Sequence, residues 1–322
     1  MSATVSEAGQ APLPSLAVVV VNWNGRAVLD DCLDSLRDGG YPDLRVMLVD
    51  NASTDSSVPF VRKHHPRVEI LVAPQNLRWA GGNNLALARL QQEGWPQDQV
   101  LLLNNDTVVP AGSLERLTTA LGDDPRAWAA TPRILYESDP SRVWFDGGLV
   151  GSRSGWVRHR GIRRLAGHLP IASSYVEYGT GCALLLSRRA LQTCGLLDTA
   201  YHFYGEDADY CLRMREAGGL ILHAPRAVVL HKVSMTLGVA SPRKVYLRSR
   251  SHWRLLRRHW PPCRWPLLIP AQAAYLTGHT LWHLWHGRPA TALALWQGIL
   301  DEGRGRALAG VEVDTGAERV IP

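Results

Sequence analysis

Four short apolar runs, separated by stretches of helical spacing, constrain this chain more than any other feature. Residues 16–21 form an unbroken apolar run rich in valine, and residues 45–49, 68–72 and 100–103 repeat the pattern. Runs of this length without alternation suit strands buried on both faces. Between them, Val28, Leu29, Cys32, Leu33 and Leu36, then residues 58–61, then Leu85, Leu87, Ala88 and Leu90, recur at helical intervals. Strand alternates with helix, so residues 16–110 read as a parallel α/β unit. Asn22-Trp23-Asn24-Gly25 follows the first run where a dinucleotide-binding chain would carry GxGxxG, which removes the main support for a dehydrogenase.

Further along, residues 111–180 have weak periodicity. Residues 183–186 read as another buried strand, residues 206–217 as a helix ending at Gly218-Gly219, and residues 227–230 as an apolar run closed by His231. The 322 residues allow one large domain, or one with an appendage. With 46% apolar and 20% charged residues, a disordered chain is excluded. Five cysteines without CxxC spacing argue against a disulfide framework or a zinc site and fit a reducing compartment. Residues 1–15 lack a basic residue and an apolar run, so they read as a flexible polar tail and not as a signal peptide.

Charge is unevenly spread. The formal net charge is +6, yet residues 231–300 hold ten Lys and Arg and no Asp or Glu. The same segment holds six of the twelve tryptophans: Trp253, Trp260, Trp265, Trp282, Trp285 and Trp296. Arginine with tryptophan is the mixture expected at an anionic membrane surface. A single nucleic acid strand and a solvated helix face are the competing readings, and no nucleic-acid partner is expected. Residues 265–287 carry no formal charge, but only 13 of these 23 are apolar, and two prolines and three histidines interrupt them. An interfacial or re-entrant helix is expected there, not a span.

Four polar clusters could carry chemistry. Asn104-Asn105-Asp106 ends the fourth apolar run, placing hard oxygen ligands where open α/β sheets bind ligands, although a plain turn explains the same residues. Asp50-Asn51 ends the second run and could accept from a base or ribose, while Ser53-Thr54-Asp55 reads as a helix cap. Ala80-Gly81-Gly82-Asn83-Asn84, at the start of an apparent helix, could bring backbone close to an anion or be a structural turn. Glu206-Asp207-Ala208-Asp209 opens a later helix, where carboxylates complement the macrodipole and could also supply a general base. His231 could complete a metal site with Asp106 or be structural.

In order and spacing, VVVVNWNG, LVDNASTD, NLRWAGGNN, LLLNNDT, GTGCALLLSRRAL, FYGEDADYCLRMREAG and APRAVVLH resemble the family 2 glycosyltransferases of GT-A fold, and most nearly bacterial rhamnosyltransferase-like members. The resemblance covers residues 16–235. It implies a Rossmann-like α/β fold with a mostly parallel central sheet. It also implies inverting transfer of a sugar from a nucleotide diphosphate donor to a glycan or polyprenyl-linked acceptor, assisted by Mg²⁺ or Mn²⁺. The first expectation for the donor is dTDP-rhamnose, with a uridine donor or a non-catalytic binding protein as alternatives. Asp106 matches the last position of the DxD metal motif and Asn104 its first, and His231 matches a histidine of the metal or diphosphate site. Asp207 matches the catalytic base, with Glu206 orienting acceptor or base. Asn22, Asn24, Asp50, Asn51, Arg78, Gly81, Gly82, Asn83, Asn105 and Asp106 are the implied donor-binding residues. Arg78 and Ala86 stand where relatives carry glycine.

The expected organisation is a tail to residue 15, a GT-A domain over 16–240 with a donor half to about 110, a basic amphipathic helical membrane-associating segment over 241–300, and a tail over 301–322. The expected location is cytoplasmic, peripherally on the inner face of the cell membrane.

Overall fold

The computed structural model describes residues 12–233 and 241–306. The expected tails therefore lie largely outside the described residues. In the N-terminal half, β1 (Leu16–Asn22), α1 (Arg26–Asp38), β2 (Leu44–Asp50), α2 (Ser57–His64), β3 (Glu69–Val72), α3 (Arg78–Gln92) and β4 (Gln99–Asn104) alternate as read from the sequence. The strands are parallel in the order β4-β1-β2-β3. Residues 16–20 of β1 are wholly buried, which is why the run contains no polar residue. On α1, Leu29, Cys32, Leu33 and Leu36 form the buried stripe.

Two local expectations need correction. The third strand is an edge strand, with Glu69, Ile70 and Leu71 half-buried and Val72 exposed, so it is not buried on both faces. Ser53 to Asp55 do not form a simple cap: α2 begins at Ser57. Asp55 accepts from Ser57 N and Arg26 N, while Ser53 Oγ accepts from Asn24 N, so the cluster ties the loop after β2 to the loop after β1.

The part with weak periodicity is built from β5 (Thr107–Val108), α4 (Ser113–Gly122), β6 (Ala127–Tyr136), β7 (Asp139–Phe145), β8 (Gly148–Val150), β9 (Val157–His159) and β10 (Ser174–Val176). It continues through β11 (Ala183–Ser187), α5 (Arg188–Cys194), α6 (Glu206–Glu216) and β12 (Leu220–His231). The ten-stranded sheet runs β10-β12-β6-β11-β4-β1-β2-β3, with β5 on β12 and β7 on β6, while β8 and β9 form a separate ribbon. Strand β11 is antiparallel to both β4 and β6 and welds the two halves into one sheet. Strand β12 is longer than its apolar run suggested, because a register shift between Ala224 and Val228 absorbs Pro225. Pairing resumes beyond it and sets His231 opposite Thr107.

The basic segment forms α7 (Pro242–His259), α8 (Trp265–Trp285) and α9 (Pro289–Gly303). Much of its charge is spent internally. Arg250 and Arg254 grip the buried Glu302 at 2.9 and 2.8 Å, and Arg258 reaches Asp198 and Asp209. The last helix thus continues past residue 300, where a tail was expected. Of the six tryptophans, Trp260 is buried and Trp253 and Trp265 pack edge to face with centroids 5.6 Å apart, leaving Trp282, Trp285 and Trp296 exposed. Among the described residues, no helix is long and apolar enough to cross a membrane.

Candidate active site

The carboxyl ends of β1, β2 and β4 lie side by side, with Asn22 in register with Asp50 and Val21 with Asn104. A cleft at this edge follows from the topology, since parallel strands deliver their loops to one end. The polar residues there first satisfy one another. Asn22, 0% exposed, donates to Asp50 Oδ1 at 3.4 Å and to Ser53 Oγ at 3.3 Å, and accepts from Asn105 Nδ2 at 2.8 Å. Asp50, 1% exposed, also accepts from Ser53 N at 3.0 Å. Asn51 donates to Arg78 O at 3.0 Å and accepts from Leu77 N at 3.3 Å, a two-sided lock that an aspartate could not make. These three therefore form the buried floor of this edge of the sheet. Asn24 is exposed at the rim, and a Cβ at Gly25 would overlap Asn105 Nδ2 and Asn22 Oδ1.

The paired glycines play a different part from the expected anion cradle. Helix α3 begins at Arg78, so Gly81 and Gly82 sit in its first turns and not at an open terminus. A Cβ on Gly82 would stand 2.7 Å from Val21 Cγ1 and 3.0 Å from Asn51 Nδ2, so the glycine lets the helix press onto β1. Asn83 is buried and donates to Trp79 O at 2.8 Å. Arg78 adopts a left-handed backbone, φ 62°, and its partial burial with Arg243 nearby lowers its guanidinium pKa. Ala86 is fully buried, so a methyl fills the space there.

Asp106, in the turn between β4 and β5, and His231, at the end of β12, are brought together from far apart in sequence. Asp106 Oδ1 lies 3.2 Å from His231 Nε2, both side chains being 8% exposed. Trp144 packs its ring edge to face on the imidazole, centroids 4.5 Å apart. Burial disfavours an imidazolium, yet the Cys182 sulfur and the Asp106 carboxylate outweigh it and hold the His231 pKa up at about 10. Once a cation displaces the imidazole proton, the donor set fits a divalent ion. Two cis ligands at about 2.1 Å from one octahedral ion stand roughly 3.0 Å apart, close to the spacing found.

The second centre opens α6. Tyr204 and Gly205 are both left-handed, φ 68° and 89°, a turn that aims Glu206 and Asp207 from the helix start. Asp207 Oδ2 accepts from Gly181 N and Oδ1 from Ala208 N, each at 2.8 Å. Glu206 Oε2 is buried and has no hydrogen-bond partner among the described residues. Burial first, then the charge of Asp207, pushes the Glu206 carboxyl up to about 8; burial also raises Asp207, against its amide donors. Two backbone amides donate to Asp207 while Glu206 Oε2 has no partner among the described residues, so the surroundings favour the charged form at Asp207 over Glu206. Asp209, the third acid of the cluster, is fully buried against Arg213, Arg258 and His259 and serves packing.

One tripeptide joins the two centres. Gly181 N binds Asp207, Cys182 O accepts from Asn104 N at 3.0 Å, and the Cys182 side chain neighbours His231. Thr180, Trp144 and Tyr178 were missed in the sequence, since they lie in or beside the stretch without periodicity. Tyr178 lies near Asp207, and burial, then that carboxylate, raises its phenol pKa. The GTGC motif was the one available signal.

The fold defines a class, the GT-A fold of glycosyltransferases. A mannosyltransferase from Pyrobaculum calidifontis in complex with GDP-Man and Mn²⁺ superposes with TM-score 0.57 at 17% identity, covering 92% of this chain and 88% of that one. TarS residues 1–349 from S. aureus superpose with TM-score 0.51 at 12% identity over 91% and 93% of the two chains. Residues 14–254 match the model of the family described as "Glycosyltransferase like family 2", and the chain belongs to that family. It is 29% identical to an N-acetylglucosaminyl-diphospho-decaprenol L-rhamnosyltransferase of Mycobacterium tuberculosis, over 78% of this chain and 89% of the relative. A pre-mycofactocin glycosyltransferase of the same organism is also 29% identical, over 72% of this chain but 46% of the relative.

Proposed function

We propose that this chain catalyses inverting transfer of a sugar, L-rhamnose from dTDP-rhamnose in the first instance, to a polyprenyl-diphosphate-linked glycan acceptor in cell-wall polysaccharide synthesis. One observation carries the reading: the segment 181–182 contacts the Asp106–His231 pair on one side and the Glu206–Asp207 pair on the other. The likeness in length and sequence to the mycobacterial rhamnosyltransferase supports the donor and acceptor classes.

In this reading Asp207, at the start of α6, accepts the proton of the acceptor hydroxyl. That oxygen attacks the anomeric carbon as the bond to the nucleotide diphosphate breaks on the opposite face, which inverts the centre. The two amides on Asp207 fix its orientation, and burial together with the charge of Asp207 disfavours a second charge on Glu206 in the same space. Asp106 and His231 would hold Mg²⁺ or Mn²⁺, and a bound ion would neutralise charge on the departing diphosphate. Asn24, Arg78 and Asn105 face the donor, over the platform set by Asn22, Asp50, Asn51 and the Gly81-Gly82 turn.

The test is a transfer assay with dTDP-rhamnose, UDP-sugars and a short-chain polyprenyl-diphospho-N-acetylglucosamine, with Mg²⁺, Mn²⁺ or chelator. Product mass and nucleotide release are followed together. Wild type is expected to form a product whose new linkage is inverted, and Asp207→Asn and Asp106→Ala to lose it. Turnover with a uridine donor alone would replace the thymidine assignment. Nucleotide binding without turnover by any donor would replace the enzyme with a binding protein.

A further inference from the structure

Among the described residues, the outer side of the C-terminal helices is apolar and uncovered. Positions 267, 270, 274, 278, 281 and 285 step along one side of α8, are all exposed, and carry no charge. Leu267 and Leu281 are each 61% exposed and Trp285 is 89% exposed, while Leu293 and Trp296 extend the surface onto α9 at 59% and 40%. A contiguous apolar patch of this kind is uncommon on a soluble surface without a partner. The helix is not the wall of a loose appendage. Gln272 Nε2 donates to Ser154 O at 2.5 Å and Trp260 Nε1 to Ser152 O at 2.9 Å, fixing it against the body.

At the start of this surface lies a cavity of about 220 Å³, lined by Ser152, Arg153, Arg264 and Leu267. Two exposed guanidinium groups, a serine and a leucine combine recognition of a phosphate with a path for a hydrocarbon chain. The loop that carries Ser152 and Arg153 is the one tethered by Trp260 and Gln272, so the cavity is built by the fold. At the other end of α8, Arg288 sits over the Trp282 ring, 5.7 Å from its centroid. Cations therefore bracket the apolar face at both ends.

We propose that this face is a membrane-docking surface for anionic phospholipid. A headgroup phosphate sits between Arg153 and Arg264, and the exposed side of α8 lies at the level of the upper acyl chains, with Trp285 in the interfacial layer. A second copy of the chain fits the face poorly. Residues 231–300 contain no acid, so two such faces would bring Arg264 and Arg288 against like charge. An anionic bilayer supplies the complementary sign and the apolar layer together. The proposal stands independently of the donor and acceptor assignments.

Co-sedimentation of the full chain with vesicles tests it, using phosphatidylcholine alone and phosphatidylcholine with about one-third phosphatidylglycerol. Binding is expected on the anionic vesicles and to weaken with salt. Arg153→Gln with Arg264→Gln should weaken it about 30-fold, taking roughly fivefold for each basic residue near the surface. Leu281→Asp with Trp285→Asp should lower binding to the anionic vesicles by at least about tenfold. All altered side chains are exposed, so both variants should melt with wild type. In a second measurement, lipids brominated in the upper acyl chain should quench tryptophan fluorescence, and Trp285→Phe should reduce that quenching. Absence of binding to anionic vesicles at low salt overturns the proposal. So does binding unchanged in both double variants, or a dimer in lipid-free sedimentation that Leu281→Asp with Trp285→Asp dissociates.

Discussion

Asp209→Asn tests how the C-terminal helices are held to the catalytic domain. The carboxylate is fully buried and meets Arg213 at 2.9 Å, His259 at 2.9 Å, Arg258 at 3.2 Å and the Tyr201 hydroxyl at 3.2 Å. Breaking one partner of a buried ion pair costs about 3–5 kcal/mol. The low end applies here, because Arg213 keeps Cys194 O and Leu196 O, and His259 keeps Glu216. An expected loss of about 3 kcal/mol corresponds to roughly 4 °C in Tm for a chain of this size. The pH dependence is the sharper check. The Asp209 pKa is lowered, since the contacts of His259 and Arg213 outweigh burial, so its contribution is present above the unfolded carboxylate value and lost as pH falls through the native one. The His259 pKa is raised, since its contacts with Asp209 and Glu216 outweigh burial, so its contribution is full below the unfolded imidazole value and lost as pH rises through the native one. The difference between wild type and Asp209→Asn, followed by urea denaturation, should therefore be largest between about pH 4 and pH 6.5 and shrink on either side. A difference below about 1 kcal/mol at pH 6, or one that is flat with pH, would refute the assignment of Asp209 as the anchor.

Other outcomes follow from the site and core. The acid limb of kcat/KM should lie above the ordinary aspartate range, because burial raises Asp207, and should persist in Glu206→Gln; Asp207→Asn should lower kcat by about 10²–10⁴. Gly82→Ala should destabilise by about 1–2 kcal/mol, overlap with Val21 outweighing the helical gain, and should weaken nucleotide binding through Asn51, as thermal melts with and without nucleoside diphosphate would report. Arg133→Met leaves Asp146 buried, with Arg160 and His223 as its remaining basic neighbours, and should cost about 3 kcal/mol in urea denaturation.

The sequence was legible where one residue decides one environment. The first, second and fourth strands announce themselves because both faces are covered, and β3 misleads only in its burial, as an edge strand. Strand β6 hides because Thr131, Pro132 and Arg133 interrupt its apolar residues; Arg133 is tolerated there through Asp146 on the segment after β7, a pairing no local pattern records. Asp106, Asp207 and His231 were legible as acids and a histidine at the ends of regular elements. The parts played by Asn51 and Gly82 were not, since they depend on how closely α3 approaches β1. The basic C-terminal segment read as surface charge because Glu302, which takes up Arg250 and Arg254, lies more than one helix away in sequence.

The five residues of β11 have a consequence for dissection of this chain. With β11 removed, β4 loses its antiparallel neighbour and presents the apolar sequence 100–103 as an open row of amides and carbonyls, and β6 loses its partner on the same side. Neither half is expected to survive as a separate soluble fragment. A reporter divided between residues 110 and 180 would therefore recover only when both pieces meet on that strand, which makes β11 the place to monitor assembly of the enzyme during synthesis.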